Sequence, residues 1–138
     1  MDDELSAAFL PSSAPATIRG GAADGNIGPG ARQRTFAEAV RLGVKVGFGT
    51  DSGVSRHGEN AREFTLMVKF GMAPIAALKA ATSVDAELLG LSKSIGTLEA
   101  GKLADVVAVP GNPLEDIGST GRVVFVMKEG AVVVPKKP

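Results

Sequence analysis

The chain has 138 residues, 44% of them hydrophobic, and 15 basic side chains balance 15 acidic ones. One histidine and six aromatic residues, all Phe, leave neither a basic surface nor much stacking surface, which argues against nucleic acid as a partner. The absence of Cys excludes disulfides and thiolate metal sites, and one His excludes a site that needs two imidazoles from this chain. A closed (β/α)8 barrel needs roughly 200 residues or more, so the chain is too short to form one.

Residues 1–30 are predicted to form a flexible leader. Glycines are concentrated between Gly20 and Gly30, and the segment has too few apolar side chains to offset the entropy of ordering it. Its glycines are not followed by the Gly-Lys-Ser/Thr of a phosphate-binding loop. No apolar run approaches the roughly 20 residues of a membrane span, and acidic residues follow Met1, so we expect a cytoplasmic protein without a membrane partner.

The first predicted elements are a helix and a strand. Thr35 and Glu38 have capping-box spacing, which predicts a helix that begins at Thr35 and ends at Gly43. Residues 44–49 are predicted to form a strand, which is followed by the polar loop 50–53. This order predicts the αβ half of a parallel α/β unit.

Three further helices are predicted. The first spans residues 59–70 and is ended by Gly71, because its apolar residues form one stripe at helical spacing. The second begins at Pro74, a residue suited to a first helical turn. The third is predicted to begin at Thr82, which has capping spacing to Asp85, and to end at Gly90.

The last part of the chain is predicted to be rich in β-structure. A turn at 99–102 lies between short strands, and residues 105–109 form a strand. Residues 123–127 and 131–134 flank the turn 128–130 as a hairpin. An α/β portion over 31–92 is therefore followed by a β-rich tail over 93–138.

Asp51 is the first candidate functional residue. Active sites of parallel α/β folds gather at the carboxyl ends of strands, and Asp51 lies just beyond one. A carboxylate there can bind a divalent metal or accept a proton from water. The alternative is that Asp51 caps the turn or the next helix. A dinucleotide-binding site is a less favoured alternative. The nearby glycines do not have the G-x-G-x-x-G spacing, and Asp51 would repel the pyrophosphate group.

His57 lies six residues beyond Asp51 in a polar loop. It could bind a substrate carboxylate or tune Asp51 by its charge, and the alternative is a solvated loop histidine. Ser52 and Ser55 lie nearby, but the G-x-S-x-G pattern of a serine hydrolase is absent.

Three stretches of the sequence carry a family resemblance: GFGTDSGV at 47–54, HGEN at 57–60 and IGTLEAGKLADVV at 95–107. Together they resemble the amidohydrolase superfamily, in the branch of metal-dependent prolidases and imidazolonepropionase-like dipeptidases. The resemblance covers about residues 31–134 and matches the eighth barrel strand, the helix after it and the following β-rich segment.

The resemblance implies an α/β fold that is the C-terminal third of such an enzyme. Residues 31–92 would be the last segment of a (β/α)8 barrel, and 93–138 would be part of a small β-sandwich. It also implies that Asp51 binds the metal and moves the proton between water and leaving group. Ser52 and Gly53 match its loop, and His57 falls in a segment that borders the substrate.

The implied activity is hydrolysis of an amide, a cyclic amide or a dipeptide. It would depend on a divalent metal, which we expect to be zinc. The chain lacks His-x-His and the family's other metal-binding histidines. We therefore expect no tightly bound metal in this chain and no activity of this part alone. The alternative is a non-catalytic, self-associating α/β module. Because the strands would lack their usual partners, we expect a homo-oligomer.

Overall fold

The structure, a computed structural model, describes residues 9–10, 30–52, 56 and 58–134. Most of the predicted leader, together with Gly53, Ser55 and His57, lies outside these residues. The elements are β1 (Phe9–Leu10), α1 (Ala31–Arg41), β2 (Lys45–Val46), α2 (Arg62–Lys69), α3 (Pro74–Lys79), α4 (Asp85–Leu88), β3 (Val106–Ala108), β4 (Phe125–Lys128) and β5 (Ala131–Val134). A π-helical turn, Ala80–Val84, joins α3 to α4, and a 3-10 helix, Ile117–Gly121, lies between β3 and β4.

Helix α1 begins one turn earlier than the capping pattern predicts. It starts at Ala31, and the Thr35 hydroxyl donates to the Ala31 carbonyl at 3.0 Å. Thr35 is therefore an interior residue, and the prediction that it caps the helix is wrong. The predicted end is confirmed, since Gly43 has φ 70°, a left-handed conformation that favours glycine.

Strand β2 is short and pairs with a strand that the sequence pattern does not predict. It spans two residues where 44–49 were predicted, and Val46 pairs with Phe9 of β1 in an antiparallel arrangement. Within the described residues β2 pairs with β1 alone, in an antiparallel arrangement, and the parallel neighbours expected for this segment are not among them. Val46 is buried and joins the core.

The hydrophobic core lies between α1, β2, α2 and the helical run that begins with α3. Helix α2 is shorter than the predicted 59–70, but its apolar stripe points inward, with Met67 fully buried. Gly71 has φ 105° and ends the helix as predicted. The buried residues of this core are Phe36, Val46, Met67, Met72, Ala77 and Ala80.

Helix α3, the π-helical turn and α4 follow one another without a break. Pro74 occupies the first turn of α3, as predicted. Thr82 lies inside the run and its hydroxyl donates to the Leu78 carbonyl at 2.8 Å, so the prediction that it begins a separate helix is wrong. The run ends before Gly90, whose φ is 72°.

The predicted hairpin is confirmed within a three-stranded antiparallel sheet of order β3-β4-β5. Val106 of β3 pairs with Met127 of β4, and Lys128 pairs with Ala131 of β5. The Asp105 carboxylate accepts hydrogen bonds from the Glu129 backbone at 2.7 Å and from Lys128 Nζ at 2.8 Å, which fixes the hairpin turn against β3. The turn at 99–102 is present, but no strand precedes it among residues 58–98.

The 3-10 helix packs against α2 and connects the β-rich segment to the helical part. Ser119 is fully buried there. Asp116 accepts a hydrogen bond from the Gly118 backbone at 2.9 Å and binds Arg122 at 2.8 Å, which holds the short helix at both ends. In the part of the chain that the structure describes, no helix is long and apolar enough to span a membrane.

Candidate functional site

Asp51 lies in the loop that follows β2, and its side chain is exposed. Its φ is 42°, a left-handed conformation that is uncommon for a residue with a side chain, although Asp adopts it more readily than most. Such backbone strain amounts to about 1–3 kcal/mol and is concentrated at functional sites. The N-cap of α2 is Ala61, with no side-chain cap, so Asp51 does not cap that helix.

Asn60 joins the residues on both sides of Asp51. Its Nδ2 donates to Thr50 Oγ1 at 2.9 Å and to Ser52 Oγ at 3.1 Å. The Ser52 hydroxyl in turn donates to Thr50 Oγ1 at 3.0 Å. The side-chain oxygen of Asn60, Oδ1, accepts a hydrogen bond from the Gly58 backbone N–H at 3.3 Å. The Asp51 loop is therefore bound to the segment that precedes α2.

The backbone ahead of Asp51 is fixed by α4 and α2. The Phe48 backbone donates to Asp85 Oδ1 at 3.0 Å, and the Phe48 ring packs against the Phe64 ring with 4.4 Å between centroids. Burial raises the pKa of the Asp85 carboxyl above its ordinary value, and the hydrogen bond from Phe48 opposes that shift. Lys45 also binds Glu87 at 2.8 Å, an exposed ion pair of small energetic weight.

The structure brings only part of the predicted site together. Asp51 and Ser52 lie in one loop with Thr50, whereas Gly53 and His57 fall outside the described residues. Within residues 9–10, 30–52, 56 and 58–134, no group of three or more His, Cys, Asp or Glu side chains is arranged so that it could hold a metal ion. Because a catalytic zinc takes about three protein ligands, these residues alone do not fit the metal that the resemblance implies.

Sequence reasoning overlooked the contacts of two polar residues that hold the Asp51 loop and the segment before it. Asn60 was noted only as part of a motif, and Asp85 only as a capping partner of Thr82. Asn60 is exposed and lies ten residues from its partner Thr50, so no periodic pattern in the sequence indicates this contact. Only the structure shows it.

Comparison with known proteins gives a family match. The sequence profile of the Amidohydrolase family matches residues 25–133. Ochratoxinase from Aspergillus niger is 37% identical over 86 residues, which are 61% of this chain and 18% of ochratoxinase.

Solved structures give the same result. A Xaa-Pro dipeptidase with methionine bound in its active site is 46% identical, with a TM-score of 0.71, over 72% of this chain and 25% of the dipeptidase. A prolidase complexed with N-methylphosphonate-L-proline is 33% identical, with a TM-score of 0.67, over 73% of this chain and 26% of the prolidase. The chain thus spans about a quarter of these solved relatives. The profile match and these similarities show that the chain belongs to the amidohydrolase family.

Proposed function

We propose that this chain is the part of a metal-dependent amidohydrolase that supplies Asp51 as the catalytic acid and base. The relatives support hydrolysis of C–N bonds, since they include a Xaa-Pro dipeptidase and a prolidase. The observation that carries the proposal is the exposed Asp51 carboxylate, on a residue whose backbone is left-handed in the loop after β2. Strain retained at an accessible carboxylate is characteristic of a functional site.

Asp51 can perform both proton transfers of amide hydrolysis. Its carboxylate accepts a proton from the water that attacks the amide carbonyl carbon. When the C–N bond breaks, the same proton passes to the leaving nitrogen, and the carboxylate is regenerated. The exposed side chain leaves room for water and substrate on one side of the loop.

The proposed substrate is a small amide, a cyclic amide or a dipeptide. Ser52 and Gly53 follow Asp51 directly in the sequence, and we propose that they line the substrate-binding site. His57 is proposed to border the substrate, where its imidazole could bind a carboxylate group. The Ser52 hydroxyl is already hydrogen-bonded to Thr50 and Asn60. We therefore propose that it stabilises the loop conformation as well as binding substrate.

We propose a divalent metal, zinc, as the cofactor of the complete enzyme. A metal there would supply Lewis-acid chemistry at the scissile bond. Asp51 would contribute one ligand, and further ligands would come from outside the described residues. Because the 138 residues contain one His and no Cys, we propose that they alone hold no tightly bound metal and are inactive.

The architecture proposed for the complete enzyme assigns residues 31–92 to the last segment of a (β/α)8 barrel. Residues 93–138 would form part of a small β-sandwich, and residues 1–30 a leader. The chain covers 25% of the dipeptidase, which supports the proposal that it is part of a longer enzyme. A cytoplasmic location is part of the same proposal.

A second candidate is a non-catalytic module that associates with itself. It is favoured by the β-sheet, where Val107 is 61% exposed although it lies in a strand of apolar residues. An exposed apolar sheet face and unpaired strand edges favour association with another protein chain. We propose a homo-oligomer under either candidate.

Hydrolysis by the longest natural chain that carries this sequence tests the proposal. The purified protein is loaded with zinc and incubated with Xaa-Pro dipeptides and N-acyl amino acids, and products are identified by mass spectrometry. We expect cleavage of at least one C–N bond, lost on treatment with a chelator and restored by zinc. No cleavage of any member of the panel, with the protein folded and loaded, would favour the non-catalytic module.

A further inference from the structure

A single exposed side chain fixes both neighbours of Asp51. Asn60 Nδ2 donates to Thr50 Oγ1 at 2.9 Å and to Ser52 Oγ at 3.1 Å, so one amide group contacts the residue before Asp51 and the residue after it. The two hydroxyls are themselves joined at 3.0 Å. These contacts form a closed triangle of three side chains, two of which belong to the residues before and after Asp51.

The orientation of the Asn60 amide is set by its own backbone surroundings. Its carbonyl oxygen accepts a hydrogen bond from the Gly58 N–H at 3.3 Å, which leaves the NH2 group to face the two hydroxyls. Asn60 lies in the turn that leads into α2, and α2 is anchored in the core by Met67. The core thus supports Asn60, and Asn60 supports the loop.

The conformation of Asp51 needs such support. A non-glycine residue at φ 42° is strained, and such a conformation persists only where the surroundings determine it. Phe48, three residues earlier, is fixed by Asp85 and by the Phe64 ring. Thr50 and Ser52, in contrast, are hydrogen-bonded to each other and to Asn60.

We propose that Asn60 is a positioning residue, which acts through Thr50 and Ser52 to hold Asp51 in its left-handed conformation and so to aim its carboxylate at the substrate. This inference rests on the proposed function, in which Asp51 transfers the proton. It adds a residue that does not touch the reacting atoms. Displacement of a catalytic group by about 1 Å can lower the rate on the order of a hundredfold, so loss of the support affects turnover more than binding.

The test uses Asn60→Ala, Thr50→Val and the double variant. The conformation of Asp51 is read by NMR, because a left-handed residue gives a strong NOE between its own amide and α protons. Turnover is measured in the longest natural chain that carries this sequence. Asn112→Ala is the matched control, since Asn112 is also an exposed Asn whose side chain binds the backbone, accepting from Leu114 N at 3.0 Å.

We expect Asn60→Ala to weaken the Asp51 NOE and to lower kcat by about tenfold or more while KM changes little. Thr50→Val should have a smaller effect of the same kind. Because Asn60 acts through the two hydroxyls, the double variant should be less impaired than the product of the single effects predicts. Asn112→Ala should leave both the NOE and kcat unchanged.

The inference is overturned if the Asp51 NOE of Asn60→Ala equals that of the unaltered chain, or if the effects of Asn60→Ala and Thr50→Val multiply as independent ones. The NOE is measurable in the 138 residues themselves, so this result does not depend on turnover. The proposed function fails separately, if Asp51→Asn retains about a tenth of the activity or more. If the NOE is weakened in Asn60→Ala but Asp51→Asn is active, Asn60 fixes the conformation of Asp51 and this conformation is not needed for catalysis.

Discussion

Asp85 and Phe48 are joined by a hydrogen bond across 37 residues of sequence, from the Phe48 N–H to Asp85 Oδ1 at 3.0 Å. The contact fixes the first turn of α4 to the segment between β2 and Asp51. It also holds a partly buried carboxyl whose pKa is raised, chiefly by burial. One side chain therefore links the stability of the fold to the position of the candidate site.

Asp85→Ala should lower the free energy of unfolding by about 1–3 kcal/mol, because the Phe48 N–H loses its acceptor in a partly buried place. Asp85→Asn keeps an acceptor oxygen and removes a charge that burial disfavours. At neutral pH it should therefore be as stable as the unaltered chain or more so. Urea unfolding measures both variants, and equal losses in the two would contradict this account of the contact.

The same contact predicts a dependence on pH. A raised pKa means that the folded state holds the Asp85 proton more tightly than the unfolded chain does. Asp85 thus favours folding below its ordinary pKa of 3.8, and this contribution is lost as pH rises through the raised value. The stability of Asp85→Asn relative to the unaltered chain should increase over that interval. A constant difference would show that the carboxyl is not shifted.

Gly96→Ala should be strongly destabilising. A Cβ at this position would lie 2.5 Å from Ala86 Cβ and 3.0 Å from the Thr82 carbonyl oxygen, and φ is 95°. Overpacking and left-handed strain together predict a loss of about 2–5 kcal/mol. Gly101→Ala is the matched control, because φ is 89° there and nothing lies within 4 Å. It should cost only about 1–2 kcal/mol of strain, and equal urea midpoints for the two variants would contradict the close packing at Gly96.

Ala73→Thr should stabilise the start of α3. Ala73 is the N-cap, with φ −64° and ψ 141°, and no side chain caps the helix. A Thr hydroxyl that accepts from the first turn should add about 1 kcal/mol. Ala76→Thr is the control, since Ala76 is an exposed interior residue of α3, where Thr is a poorer helix former than Ala. The urea midpoint should rise for the first and fall for the second, and a fall for both would contradict the cap assignment.

The exposed β-sheet face predicts self-association. Val107, Val126 and Val134 lie in one row across the three strands, and Val107 is 61% exposed. Light scattering over a tenfold dilution should show an oligomer that Val107→Lys dissociates. Leu114→Lys, at an exposed position outside the strands, should leave it intact. A monomer of 14.0 kDa at every concentration would contradict the prediction.

The parts of the fold that local chemistry determines could be predicted from the sequence. Gly43, Gly71 and Gly90 all have positive φ where a helix end was expected, and Pro74 begins α3. These signals are local because they depend on the backbone freedom of glycine and the fixed φ of proline.

The capping predictions failed because their pattern is ambiguous. Thr35 and Thr82 both donate to the carbonyl four residues earlier, so the same hydroxyl that could begin a helix lies inside one. The spacing to Glu38 or Asp85 does not distinguish the two cases. Only the extent of the helix on either side does so, and tertiary packing decides that extent.

The rest of the fold depends on contacts between distant residues. The pairing of Phe9 with Val46 and the contact of the 3-10 helix with α2 leave no periodic pattern in the sequence. Asp51 was predictable because it follows a strand, whereas its conformation and its link to Asn60 were not. The sequence therefore selects Asp51 as a candidate residue but does not indicate the side chains that hold its loop.

Steady-state kinetics of Asp51→Asn, in the longest natural chain that carries this sequence, tests the central claim most directly. The amide keeps the shape of the side chain and removes both its charge and its capacity to accept a proton. Glu115→Gln, an equivalent change at an exposed residue outside the candidate site, is the control. We predict that Asp51→Asn abolishes turnover while Glu115→Gln keeps full activity and both variants unfold at the same urea concentration. An Asp51→Asn enzyme that retains even about a tenth of the activity would contradict the assignment of Asp51 as the catalytic acid and base.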